Sequence, residues 1–267
     1  MRKIYLKNYN ITYDDSRITE YHDIINWLII HKSTQMKGIA ADKYLACKYA
    51  KMKLGKNLCP HRIGVYNNVE EIDFEKLIKM GNVILKISNG NQDNIFITNK
   101  TTLDDIETVK QKTIFHFNRN YPLHVPSLHH LYSKKRIILE KMFIPMTDLY
   151  EFKILIFNKD IKLILIRYKY KNRMTTNYYY ENFIPVFNTT LEKKLISNLK
   201  QNTLNQMKDY SLKLAEDFPN FIRVDMYIFH DKIYLSELTF DSHAGFPTFL
   251  NVNFFNDDMK KWKRIDY

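Results

Sequence analysis

Apolar residues recur along this chain at two spacings, one helical and one alternating, and the switches between them mark its elements. From Asp14 to about Lys37, acidic residues precede an apolar stripe of Ile24, Ile25 and Leu28, and from Ala40 to Leu54 apolar residues repeat at helical intervals. Both stretches predict helices, because residues three and four apart share one helix face. Pro60 to Tyr66 predicts a strand after a turn, Glu70 to Met80 a helix, and Asn82 to Ser88 a short buried strand running into Ser88-Asn89-Gly90-Asn91. Ile95 to Thr98 can pair back as a strand, Leu103 to Lys112 is helical in spacing, and Arg136 to Phe143 is a strand rich in branched residues. Two hairpins are predicted, Glu151 to Asn158 with Ile161 to Tyr170, and Phe221 to Phe229 with Lys232 to Phe240; the longest helical pattern, Leu191 to Asp217, lies between them. Antiparallel pairs with segregated helices define an α+β class. No repeat of solenoid length is present.

Composition narrows the picture modestly. With 267 residues, 45% of them hydrophobic, the chain can bury a sizeable core. Its 6 glycines and the lack of a Pro/Ser/Gly-rich stretch predict closely packed lobes without a flexible tether. The run from Ile24 to Ile30 is too short to span a bilayer, and Met1 to Asn10 lacks the apolar core of a signal peptide. Cys47 and Cys59 neither build a disulfide framework nor supply a thiolate metal cage, as in a reducing compartment. The expected location is cytoplasmic, with the inner membrane surface left open. A formal charge of +12 favours anionic partners such as nucleotides, nucleic acid, acidic glycans or anionic lipid, although a general enrichment of lysine on solvated faces accounts for the excess equally well.

The sharpest local pattern is Arg223-Val224-Asp225-Met226-Tyr227, a short connection at His230-Asp231-Lys232, then Tyr234-Leu235-Ser236-Glu237-Leu238-Thr239. An odd-numbered turn centred on Asp231 would set Asp225 directly opposite Glu237 on one face, whereas a two-residue turn would send them to opposite faces. On one face the pair supplies hard oxygen ligands for magnesium, with Arg223 beside them to stabilise developing negative charge. An ordinary exposed hairpin with cross-strand ion pairs has the same spacing. Lys86 ends an apolar strand ahead of a polar loop containing Gly90, so lysine and loop amides could cradle phosphates; a plain strand-end lysine beside a turn fits as well. Ile137 to Phe143 could present backbone amides to an adenine edge, with Glu151 beyond for ribose hydroxyls, or be a core strand with a charged exit.

Basic and aromatic residues interleave from Arg167 through Lys169 to Arg173 and on to Tyr180, a pattern suited to nucleic acid, to an acidic sugar polymer, or to a solvated strand with half-buried tyrosines. His116, His124, His129 and His130 have no cysteine or acidic residue at ligand spacing among them and are read as surface or core histidines.

In order and spacing these segments resemble the ATP-grasp superfamily, and within it the TupA-like branch linked to teichuronopeptide biosynthesis. The resemblance runs from about Ala40 to Phe246 and is carried by Ala41 to Tyr44, Ile63 to Tyr66 with Glu71 to Phe74, Arg136 to Phe143, Glu151 to Asn158, Arg223 to Tyr227 and Tyr234 to Phe240. It implies an ATP-grasp fold in which two α+β lobes clamp ATP: a helical segment over 1–59, a smaller lobe over 60–143 and a larger lobe with the magnesium site over 144–267. By resemblance Lys43 and Lys86 contact ATP phosphates with Asn89 and Gly90, Glu140 with Lys141 and Met142 forms the adenine site, Glu151 takes the ribose, and Lys153 matches a lysine that follows that acid. Asp225 and Glu237 match magnesium ligands and Arg223 a catalytic arginine. Thr239 stands where many relatives carry asparagine as a further ligand, with Asp241 the nearest substitute. The loop Asn89-Gly90-Asn91-Gln92 lacks the branch's second glycine and its histidine.

The resemblance also implies ATP and Mg2+ as cofactors and an ADP-producing carboxylate-amine ligase acting through an acyl phosphate. The expected acceptor is an acidic cell-surface polysaccharide or its precursor, held by Arg167, Lys169, Arg173 and His243, with an amino acid or other amine as second substrate. A kinase for sugar hydroxyls, and a nucleotide-binding or nucleic-acid-binding module without turnover, are the alternatives.

Overall fold

The structure, a computed structural model, describes residues 21–90, 93–119, 128–144, 149–170, 173–187 and 190–242. His124 and His243 lie outside the described residues.

The described residues begin with three short helices: α1 (Tyr21–His31), α2 (Gln35–Ala41) and α3 (Lys43–Leu54). The helical pattern from Ala40 to Leu54 breaks at Asp42, which leaves the helical conformation (φ −70, ψ 118) and whose Oδ1 accepts the N–H groups of Tyr44 (2.8 Å) and Leu45 (2.9 Å). An aspartate so placed satisfies amides that a new helix would otherwise leave orphaned, so one apolar repeat becomes two helices.

A first sheet contains β1 (Arg62–Tyr66), β2 (Val83–Ile87), β3 (Ile95–Ile97) and β4 (Ile137–Lys141) in the order β1-β4-β2-β3, antiparallel throughout. Helices α4 (Phe74–Met80) and α5 (Ile106–Asn118) pack beneath it, where Leu77, Ile78 and Val109 meet Val83, Leu85, Ile87, Ile137 and Leu139. Alternation then places Ile84, Lys86, Ile138 and Glu140 on the opposite face. Between α5 and β4 runs a 3₁₀ segment, Leu128–Tyr132.

The second sheet contains β5 (Leu149–Phe157), β6 (Asp160–Tyr170), β7 (Arg173–Tyr179), β8 (Phe221–Phe229) and β9 (Lys232–Thr239), in the order β7-β6-β5-β8-β9. Helices α6 (Thr190–Ser197) and α7 (Gln201–Ala215) connect β7 to β8. The single long helix expected from Leu191 to Asp217 is therefore two. The first ends in tight bonds from Asn198 N–H to Leu195 O (3.3 Å) and Leu199 N–H to Ile196 O (3.1 Å), and Lys200 is extended before the second begins.

One face of this sheet, Phe152, Ile154, Ile156, Ile164, Ile222, Val224 and Met226, packs against Leu204, Met207 and Leu214 of α7 and Ala46, Tyr49 and Ala50 of α3. On the other face, Leu155, Phe157, Leu163, Leu165 and Phe221 receive Ile24, Ile25, Trp27, Leu28 and Ile29 of α1. Eleven residues are too few for a stable isolated helix, so α1 is held by this packing, each fully buried large side chain contributing about 1.5–3 kcal/mol over exposure. Tyr49 also ties α3 to the end of α7, its hydroxyl donating to Leu214 O (2.9 Å) and meeting Asp217 Oδ2 (3.1 Å).

The cysteines correct the reading from sequence. Cys47 on α3 and Cys59 just before β1 form a disulfide, and no cysteine is free. Two cysteines are too few for a framework, yet the turn after α3 brings this pair within bonding reach, with Cα atoms 5.7 Å apart. No helix among the described residues is long and apolar enough to cross a membrane.

Candidate active site

The register of β8 and β9 decides the site. The connection is a two-residue turn, with Phe229 paired to Lys232 and both His230 (φ 48) and Asp231 (φ 62) left-handed. That corrects the odd-numbered turn on which the facing of the two carboxylates was conditioned, and by itself it would separate them. A β-bulge intervenes. Met226 pairs with Leu235 but Asp225 pairs with Glu237, so Ser236 is the extra residue and the register is restored. Leu235 and Leu238, three apart, consequently both reach the apolar face, while Glu237 and Thr239 join Arg223 and Asp225 on the other.

On that face Asp225 is fully buried and encircled by cations. Arg223 donates to it through Nε (2.6 Å to Oδ1) and Nη2 (2.7 Å to Oδ2), and Lys153, opposite it on β5, approaches to 2.8 Å. Arg223 Nη2 also reaches Glu237 Oε1 (2.9 Å) and Thr239 Oγ1 (3.1 Å), and Nη1 reaches Ser242 Oγ (3.2 Å). Glu151 accepts from Arg167 (3.1 Å) and meets Lys153 at 3.3 Å. Burial raises the pKa of the Asp225 carboxyl against the pull of Arg223 and Lys153. Burial also opposes charge on Glu237, but Lys43, Arg223 and Lys153 outweigh it and hold that carboxyl down at about 2. Lys153 loses solvation, yet Asp225 and Glu151 keep it above the usual lysine range.

Facing residues come from the first sheet. Lys86 on β2 pairs with Glu140 on β4 (2.7 Å), and Arg62 on β1 stands 3.8 Å from the same carboxylate. Ser88 joins this sheet to α3: its Oγ donates to Asp42 Oδ2 (2.8 Å), and its carbonyl accepts the Lys43 N–H (2.8 Å). The Lys43 ammonium donates to Gly90 O and also acts electrostatically on Glu237, so Lys43 links the loop of the first sheet to the carboxylates of the second. Asn89 is buried and its Oδ1 has no hydrogen-bond partner among the described residues. Asp93 lies so close to Gly90 that a Cβ there would collide with its carboxylate.

The hinge differs from expectation. The Lys141 N–H donates to His61 O and the Met142 N–H to Asn82 O, both at 2.9 Å, so these amides are spent within the fold and only their carbonyls remain for a purine edge. Arg167 reaches the site through Glu151; Lys169 and Arg173 are on β6 and β7 with side chains outside the described residues, as is His243 altogether.

Sequence reading missed several neighbours. The guanidinium groups of Arg62 and Arg136 lie 5.0 and 4.9 Å from the centre of the Tyr44 ring, and the Lys48 ammonium lies 4.8 Å from it. Phe143 packs among Tyr227, Phe229 and Tyr234, with ring centroids 5.8, 5.0 and 4.8 Å away. His129 and His130 are core residues, and burial lowers both imidazoles to about 3, yet they do not lack an acidic neighbour: Asp241, just past β9, joins them. Ligand spacing within one segment could not reveal a carboxylate arriving from the far end of the chain. The run Leu235 to Leu238 did carry a legible sign of the bulge, two leucines three apart in a strand.

Solved structures share the fold of this chain. Biotin carboxylase from Campylobacter jejuni, solved as a β,γ-ATP complex, is 10% identical with a TM-score of 0.50 over 94% of this chain and 54% of its own. D-alanine-D-alanine ligase from Helicobacter pylori is 16% identical with a TM-score of 0.49 over 91% and 66%. The ADP complex of purK, an N5-carboxyaminoimidazole ribonucleotide synthetase, is 13% identical with a TM-score of 0.46 over 86% and 52%, so the chain spans about half the length of that protein. No curated protein matches by sequence. A family model described as TupA-like ATPgrasp matches residues 23–259.

Proposed function

Because the chain belongs to the TupA-like ATP-grasp family, we propose that it is an ATP-dependent carboxylate-amine ligase whose acceptor is an acidic cell-surface polysaccharide or its precursor. The observation that carries this reading is the pairing of Asp225 with Glu237 on one face of the second sheet, with Arg223 bonded to both. On this reading 60–143 and 144–267 are the two lobes that enclose the nucleotide.

The residues fit a magnesium ion. Two carboxylates and a threonine hydroxyl converge on one face and already draw in Arg223 and Lys153 as counter-charges, a set of hard oxygens of the kind that Mg2+ prefers. Asp225 and Glu237 would hold the magnesium, which when bound would neutralise charge on nucleotide phosphates.

The chain's own groups supply positioning and electrostatics. Lys43 and Lys86 hold the phosphates, with the Asn89-Gly90 backbone beside them. The carbonyls of Lys141 and Met142 meet the adenine, and Glu151, steadied by Arg167, meets the ribose. An acceptor carboxylate oxygen attacks the γ-phosphorus and ADP departs with the bridging oxygen. Arg223 then offsets charge on the acyl phosphate and on the tetrahedral adduct formed when an amine displaces phosphate. Arg167, Lys169, Arg173 and His243 bind the acceptor. An acidic acceptor suits the overall charge of +12.

Release of ADP, measured against a panel of acidic sugars with and without amino acids and followed by product mass, tests the proposal. Amine-dependent ADP release with an amide product supports it. A stable phosphorylated product formed without amine selects the kinase reading, and nucleotide binding with no ADP under any condition rejects both.

A further inference from the structure

We propose that His129, His130 and Asp241 form a second metal site, selective for a transition-metal dication such as Zn2+ or Mn2+, beside but distinct from the Asp225–Glu237 pair. Each of the three residues offers one ligand atom, these atoms lie within 4.8 Å of one another, and all three residues are buried. A second, independent observation agrees: on a residue only 1% exposed, His129 Nε2 is buried and has no hydrogen-bond partner among the described residues. Such an atom costs free energy unless something coordinates it.

The fold builds this place deliberately. Gly38 of α2 packs directly under the His129 carbonyl and the Tyr132 Cβ, leaving no room for a side chain, which presses the 3₁₀ segment against α2. Phe240 stands edge-on to the His129 ring (5.7 Å) and fixes the end of β9, so that Asp241 follows at the histidines. The two imidazole rings lie 4.4 Å apart and tilted by 40°.

Donor chemistry sets the ion. Two imidazole nitrogens and one carboxylate oxygen suit Zn2+, Mn2+, Fe2+ or Co2+, whereas Mg2+ prefers the all-oxygen set at Asp225 and Glu237. Three protein ligands leave a coordination position open, as in sites where the metal meets water or substrate. Lys37 and Arg223 exert positive fields on Asp241, Lys43 acts on His130, and Glu237 opposes them, so the site adjoins the cleft and its affinity is set partly by these charges. The proposal does not depend on ligase activity.

Cobalt(II) absorption provides the test. Chelator-treated full-length protein is titrated with Co2+ while visible d–d absorption and thermal stability are followed. One equivalent should produce the absorption, Zn2+ should bleach it, and Mg2+ in large excess should not. His129→Gln and His130→Gln should each weaken Co2+ binding on the order of 100-fold or more. Glu237→Gln should keep the one-equivalent absorption, its lost negative charge lowering Co2+ affinity far less than either histidine substitution does, while ADP release falls steeply, which separates this site from the ligase reading. Lys37→Met removes a nearby positive charge and should tighten Co2+ binding. Absence of a one-equivalent signal, displacement by Mg2+, or wild-type affinity in folded His130→Gln protein would overturn the assignment.

Discussion

The two faces of the second sheet are made by the same strands and have opposite fates. Along β5 and β8, Ile154, Ile156, Val224 and Met226 enter a continuous apolar layer under α3 and α7, while the alternate residues Lys153, Arg223 and Asp225 pair with one another. The same alternation serves both ends, because α1 covers only the part of the second face around Leu155, Phe157 and Phe221. Where α1 stops, buried charge begins. Stability and chemistry are therefore divided by a period of two, and whatever changes that period exchanges one for the other.

Deleting Leu235 and Ser236 together is the most severe way to break the comparison. It sets Glu237 opposite Met226 in the apolar layer and Leu238 opposite Asp225 in the cleft, and should abolish ADP release, a loss of at least about 1000-fold, since removing one charge-stabilising group alone typically costs about 100–1000-fold. Retained turnover in the folded deletion variant would falsify the register argument. Next come the two carboxylates themselves. Asp225→Asn strands Arg223 and Lys153 in a buried site and should cost about 3–5 kcal/mol of stability in urea denaturation as well as activity. Glu237 is the less enclosed of the two, its side chain 29% exposed, so Glu237→Gln should lose ADP release by about 100-fold or more with a smaller shift in melting temperature.

On the apolar face the pattern reverses. Ile154→Ala should destabilise by about 2–5 kcal/mol without changing the ATP KM of the folded fraction, because it leaves a cavity far from charge. The smallest effect belongs to Tyr49→Phe, which removes two hydrogen bonds at the edge of that layer and should cost about 1 kcal/mol. Burial, together with Asp217, raises the Tyr49 phenol above its ordinary value of 10.0. Its contribution is therefore complete below pH 10 and fades as the pH rises further, so the variant should show a flatter alkaline limb in melting temperature against pH.

Strands and their partners were legible because alternation is a local property: Arg136 to Phe143 and both hairpins fall where their apolar residues put them. Helix interruptions were legible in principle, since Asp42 is a strong cap, but a continuing apolar repeat masked it. The side chains gathered at Asp225 followed from strand parity plus one bulge, and the two leucines at 235 and 238 were its trace. Other features depend on contacts between distant segments and leave no periodic mark. The spent amides of Lys141 and Met142, the bonded cysteines and the meeting of His129 with Asp241 belong to that class.

Phe143 has a mechanical consequence. A single ring from the strand exit of one sheet is socketed among three rings of the other, and aromatic contacts tolerate a wide range of tilts at similar separation. The joint can thus swivel without opening a gap, so a cleft on either side of it could widen or narrow about a greased, fixed pivot rather than by unfolding a linker.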